Sequence, residues 1–136
     1  MCLFCEIIKK ERDAKIVYEN DWAVAVLDVL PVASGHTLIL PKKHVETILE
    51  LSDEELGNIF GVAREVAKLL KQTLAPDGFT IGINHGKASG QAIEHLHIHI
   101  IPRWRTDGGG SLHSVVPKKD HNESLEELYD KIVAKK

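Results

Sequence analysis

The chain holds 136 residues, 43% of them hydrophobic and 27% charged, which suits one globular domain and is too short for two comfortable ones. A domain of this size buries about two-thirds of the surface its unfolded chain exposes, so neither disulfides nor a metal is needed merely to keep it folded. The formal net charge is -3, positive runs do not exceed pairs such as Lys9-Lys10, Lys42-Lys43 and Lys118-Lys119, and no stretch has the length of a membrane span, which excludes a nucleic-acid backbone and a bilayer as partners.

The opening residues Met1 to Glu6 lack the charged, apolar and small-residue zones of a signal peptide. A reducing, cytoplasmic compartment is expected, where two cysteines stay free or bind metal rather than pair. Leu3 to Lys10 reads as a short helix. Two runs rich in valine and isoleucine, 15–19 and 23–28, read as strands around the turn residues Asn20 and Asp21. A third, 36–40, follows the turn-like 31–35 segment, and Pro41 suits its end. Together they predict an antiparallel meander.

A long helix begins after Ser52, where Ser52 and Glu55 form a capping box and Asp53 and Glu54 meet the positive end of the helix dipole. Leu56, Ile59, Phe60, Ala63, Val66, Ala67, Leu70 and Leu74 recur at three- and four-residue spacing, an apolar stripe that predicts packing against the sheet. Pro76-Asp77-Gly78 ends the helix, and two more strands are predicted over 79–84 and 93–101. Gly108, Gly109 and Gly110 predict a flexible loop within 104–122, before a last helix over 125–134 that starts from a Ser124/Glu127 capping box. The expected fold is α+β: a five-stranded antiparallel sheet carrying one long helix, with short N-terminal and C-terminal helices. One domain is expected over 1–136, with a core of 1–103, the loop, and a helical segment of 123–136.

Residues 94–101 alternate Glu-His-Leu-His-Ile-His-Ile-Ile. In a strand, alternate side chains face opposite ways, so His95, His97 and His99 share one face while Leu96, Ile98 and Ile100 turn toward the long helix. Neighbouring rings would then lie roughly 7 Å apart, close enough to act on one small ligand. A lone strand histidine is usually a solvated or satisfied ring, but three in strict alternation point to a site, either an open metal centre or a nucleophile with its assistants. His85, His113 and His121 read as surface residues.

The run from His95 to Ile101 resembles the His-φ-His-φ-His-φ-φ signature of the histidine-triad nucleotide hydrolases and transferases, where φ is an apolar residue. The likeness takes in Asp28, the segment from Gly35 and His36 through His44, Asn84, and Gly90-Gln91, so it spans most of residues 2–103 and leaves the tail without a motif. It implies that His97 attacks the α-phosphate of a purine nucleotide, an AMP or GMP derivative such as a phosphoramidate or dinucleoside polyphosphate, and forms a covalent nucleotidyl-histidine that water hydrolyses. A hydrogen bond from the other ring nitrogen to a backbone carbonyl would select the attacking tautomer. His99 would bond the phosphate and assist the leaving group, with His36 supporting it. The resemblance further implies phosphate contacts from Asn84, Gln91 and the amides near Gly90, and ribose contacts from Asp28. Ala92 stands where the family often has a hydroxyl residue. A homodimer built around the long helix and a sheet edge is also implied, with Trp104 and the following segment reaching the partner's pocket.

Cys2 and Cys5 have the spacing of half a zinc knuckle, which supplies two ligands where a closed structural site needs four. Two ordinary small apolar residues would read the same. The resemblance supplies the other pair, His44 and His95, and implies a structural zinc beside the active site. The competing expectations are a zinc-stabilised nucleotide-binding module with incidental turnover, and a zinc hydrolase that uses the triad as ligands.

Overall fold

The computed structural model describes residues 2–118 and 122–136. Helix α1 (Leu3–Ile8) leads into the hairpin of β1 (Ile16–Glu19) and β2 (Ala23–Leu27), whose turn is closed by the Asn20 side chain accepting from the Trp22 and Ala23 amides. Strand β3 (Thr37–Pro41) completes the meander. Helix α2 (Asp53–Leu74) follows, then β4 (Gly78–Gly82), β5 (Ile98–Arg103) and helix α3 (Leu125–Val133). The sheet is antiparallel throughout in the order β1-β2-β3-β5-β4. This is the expected α+β, five-stranded architecture.

Both expected capping boxes form: Ser52 accepts from the Glu55 amide and Ser124 from the Glu127 amide, each glutamate reaching back to its cap. Each fixes a helix start by satisfying amides that lack an intrahelical partner. Helix α2 buries Ile59, Val62, Ala63, Val66 and Leu70 against Ala23, Ala25, Ile39, Ile98 and Ile100. Phe60, placed in this stripe by its spacing, instead lies 45% exposed, because α2 covers only the sheet side of its circumference and Val62 takes part in the contact. Gly35 closes the approach to β3 with a φ of +84°, and a Cβ there would sit 2.5 Å from Leu74 Cδ1 at the end of α2. No other residue type fits that crossing without a shift.

The second sheet face is covered too. Phe4 and Ile7 of α1 pack on Val24, Val26, Leu38 and Leu40. Covered from both sides, β2 and β3 read as continuous apolar runs rather than alternating ones. In α3, Leu125, Tyr129 and Ile132 are exposed. After β5, Arg103 makes two bonds to the Asp107 carboxylate, one to Thr80 Oγ1 and one to the Gly110 carbonyl. No helix among the described residues is long and apolar enough to cross a membrane.

Candidate active site

Strand β5 starts at Ile98, five residues later than the alternation predicts, and residues 93–95 form a bend. The Leu96 amide donates to the Val45 carbonyl at 2.7 Å instead of joining the β5 ladder. His95 and His97 therefore precede the strand, and only His99 lies in it. Ile98 and Ile100 do face α2, while Leu96 is buried outside that cluster. The rings of His97 and His99 are 5.1 Å apart between centroids, closer than regular strand spacing provides. Phe4, whose role the sequence reading missed, lays its ring edge-on 5.0 Å from His97 and 6.0 Å from His95. Helix α1 thus forms one wall of the site.

Each triad histidine has its tautomer set by its neighbours, because a carbonyl can only accept and a backbone amide can only donate. His95 Nε2–H donates to the Pro41 carbonyl at 2.8 Å, leaving Nδ1 with a lone pair. His97 Nδ1–H donates to the His95 carbonyl at 2.8 Å, leaving Nε2 with a lone pair. The third assignment runs through His36: the Val32 amide donates to His36 Nδ1 at 3.2 Å, so the His36 proton sits on Nε2, 2.9 Å from His99 Nδ1. His99 then carries its proton on Nε2, a buried nitrogen with no hydrogen-bond partner among the described residues. A buried donor left unpaired is costly, which marks it as a group held ready for a ligand oxygen or nitrogen.

Burial lowers the pKa of His99 to about 4, with repulsion from His97 and His36 adding to it and the Asp28 carboxylate opposing. Burial also lowers His36, again against Asp28, whose Oδ2 is 3.5 Å from His36 Nε2. Both rings bind protons more readily in the unfolded chain, so their contribution to stability is complete above pH 6.5 and is lost as pH falls toward 4. Denaturant titrations across that window should show a loss on the order of 2–3 kcal/mol from His99. The loss should be smaller by that amount in His99→Asn; an unchanged slope would count against a neutral, buried His99.

The site opens on a cavity of about 480 Å³ that His97, His99, Asp28, Asn84 and Gly90 line together with Ile7, Ala14 and Leu30. Imidazoles and apolar side chains line it together, a mixture suited to a ligand with a polar reacting group and an apolar body. Asp28 Oδ1 also accepts from the Leu30 amide at 2.9 Å, closing the turn that follows β2. Gly90, at a φ of +103°, would bring a Cβ to 3.9 Å from Asn84, so its glycine is required by backbone conformation rather than by space.

Gln91 differs from its expected role. Its side chain is buried and does not line the cavity: Oε1 accepts from the Gly86 amide at 2.8 Å, and Nε2 donates to the carbonyls of Glu46 at 2.9 Å and Ile93 at 3.2 Å. It ties the Gly86–Gly90 loop to the segment at Glu46, so it acts on the site through backbone position. Gln91→Leu would strand one amide and two carbonyls, and equilibrium unfolding should register a loss of about 2–4 kcal/mol. A change under 1 kcal/mol would show that water replaces these bonds.

Cys2 Sγ, Cys5 Sγ, His44 Nδ1 and His95 Nδ1 converge on one point. Their six mutual distances run from 3.1 Å between the two sulfurs, and between the two nitrogens, to 3.7 Å between Cys2 and His44. Zinc–sulfur bonds of about 2.3 Å and zinc–nitrogen bonds of about 2.0–2.1 Å in a tetrahedron place such donors roughly 3.3–3.8 Å apart, so the four residues fit a metal ion with little adjustment. The Pro41 carbonyl orients His95 as an outer partner does in metal sites, and the Cys5 amide donates to Cys2 Sγ at 3.2 Å. His85 and His113 are exposed as expected; His121 lies outside the described residues.

A sequence model of the HIT domain family matches residues 9–106. An uncharacterized HIT-like protein of Methanocaldococcus jannaschii is 42% identical over 128 residues, covering 94% of this chain and 98% of that one. A histidine triad nucleotide-binding protein from Candida albicans superposes with a TM-score of 0.81 at 28% identity, over 99% of this chain and 96% of that one. A zinc-bound histidine triad family protein from Mycobacterium smegmatis superposes with a TM-score of 0.74 at 27% identity, over 99% of this chain and 97% of that one.

Proposed function

Since this chain belongs to the HIT (histidine-triad) family, whose members are nucleotide hydrolases or transferases, we propose that it hydrolyses purine nucleoside phosphoramidates or dinucleoside polyphosphates at the α-phosphate through a nucleotidyl-His97 intermediate. The observation that carries this reading is the His97 ring, whose Nδ1–H is held by the His95 carbonyl so that Nε2 offers its lone pair beside the cavity. In the first step that lone pair forms an N–P bond as the bond from phosphorus to the leaving group breaks. The departing atom takes the proton of His99 Nε2, and the imidazolate this leaves at His99 is offset by the positive charge on the His97 ring, 5.1 Å away between centroids. Water then attacks phosphorus, the N–P electron pair returns to His97, one water proton goes back to His99, and the remaining hydroxyl stays on the nucleoside monophosphate.

Asp28, with Oδ2 free of the Leu30 bond, accepts ribose hydroxyls in this reading, and Asn84 and the amides near Gly90 hold the phosphate. Cys2, Cys5, His44 and His95 would hold a zinc ion, which would balance the charge of two thiolate ligands and take no part in bond making. Thiolate ligands suit a reducing cytoplasm. A homodimer across α2 and the β4 edge would cover Phe60 and Ile81, both partly exposed apolar side chains of those elements.

Rapid quenching of an incubation with adenosine 5′-phosphoramidate tests the proposal. Mass spectrometry should find AMP attached to the peptide that contains His97, with AMP released on continued incubation. Tight binding of AMP with neither adduct nor release would favour the binding-module reading instead.

A further inference from the structure

A second chamber of about 710 Å³ lies against the first and shares Asn84 and His99 with it. Part of its wall comes from the tail that carries no motif: Leu112, Val115 and Val116 line it together with Ile83 and Ile101. The Arg103 bonds to Asp107 and Gly110 hold the chain that delivers this wall. His97 lines only the first chamber, whereas His99 lines both. An in-line displacement sends the leaving group away from its nucleophile. A group leaving phosphorus opposite His97 therefore passes His99 and Asn84 into the second chamber.

We infer that this chamber receives the leaving group and that it selects an amine with an apolar body. The inference rests on the nucleotidyl-transfer reading above. Among the described residues, the polar side chains lining the chamber apart from His36 and His99 are Thr80, Ser89 and Asn84, all uncharged, and no lysine or arginine is among them. A departing polyphosphate would bring several negative charges to a wall without a cation, at a large desolvation cost. An alkyl or aryl amine buries carbon against valine, leucine and isoleucine instead, and its nitrogen stays beside His99 to take the Nε2 proton as the P–N bond breaks. Leu112, Val115 and Val116 thus act as specificity-determining residues.

The test compares kcat/KM for adenosine 5′-phosphoramidate, its N-phenethyl derivative and diadenosine triphosphate. The phenethyl compound should exceed the unsubstituted one by about tenfold or more, with the triphosphate last. Val115→Asp and Leu112→Asp, at exposed positions, should bring the phenethyl preference down toward one. A wild-type preference near one, a faster triphosphate, or a preference untouched by both substitutions overturns the inference and leaves the nucleotidyl-transfer reading standing. No turnover of any of the three overturns both. The wild-type comparison decides even if a variant misfolds.

Discussion

His97→Gly should lower turnover of a nucleoside phosphoramidate by at least about 10³-fold and abolish the covalent nucleotide adduct, while nucleotide binding changes only a few-fold. The size of the effect follows from removing the only group that forms a bond to phosphorus in the proposed reaction, whereas binding depends on cavity walls that the substitution leaves in place. His99→Asn should behave differently. It loses a proton donor, an effect of about 10²- to 10⁴-fold, yet His97 keeps its lone pair, so a slowly formed adduct remains detectable. Added imidazole should restore part of the His97→Gly activity by occupying the vacated space. A zinc hydrolase using the triad as ligands predicts the reverse pattern: no rescue by imidazole, and immediate loss of activity with a chelator.

Stripping the metal, or replacing Cys2 and Cys5 by serine, should lower the unfolding temperature by on the order of 10 °C. Ligand linkage at metal concentrations 100 to 1,000 times the dissociation constant contributes about 2.7–4.1 kcal/mol, and each kcal/mol shifts the midpoint of a domain this size by about 3–5 °C. The structural route is short. Cys2 caps α1, a helix of six residues, too short to persist unaided, and that helix supplies Phe4 and Ile7 to the sheet and to the cavity. Loosening it should erode activity gradually, with the loss tracking unfolding of α1 rather than removal of a catalytic ion. Elemental analysis should find one zinc per chain in the native protein. Less than a tenth of an equivalent, with an unfolding temperature indifferent to chelator, would show that the four residues hold no metal.

The elements that were legible in the sequence are those encoded over short spans. Ser52 with Glu55 and Ser124 with Glu127 mark their helices because a capping box needs only four consecutive residues. The meander of β1 to β3 was equally visible in its turn residues and β-branched runs. The alternation of His95, His97 and His99 marked the candidate site, although it overstated the strand. Regular pleating through residue 93 would have aimed all three rings alike. The bend at 93–95 and the Leu96–Val45 bond divide them, with His95 taken by the cysteines and His97 and His99 by the cavity.

Local pattern thus determined where helices begin, which runs are strands and which residues gather at the candidate site, since periodicity and capping act within one or two turns of chain. Tertiary structure alone decided how those residues are used. The covering of the second sheet face by α1, the diversion of Gln91 into backbone bonds and the seating of the 112–116 tail beside His99 all join residues far apart in sequence. So do the hydrogen bonds that place each imidazole proton: the carbonyl that orients His95 belongs to Pro41, and the amide that orients His36, and through it His99, belongs to Val32. Partners of this kind are main-chain atoms common to every residue, and only folding brings a particular one within reach of a ring.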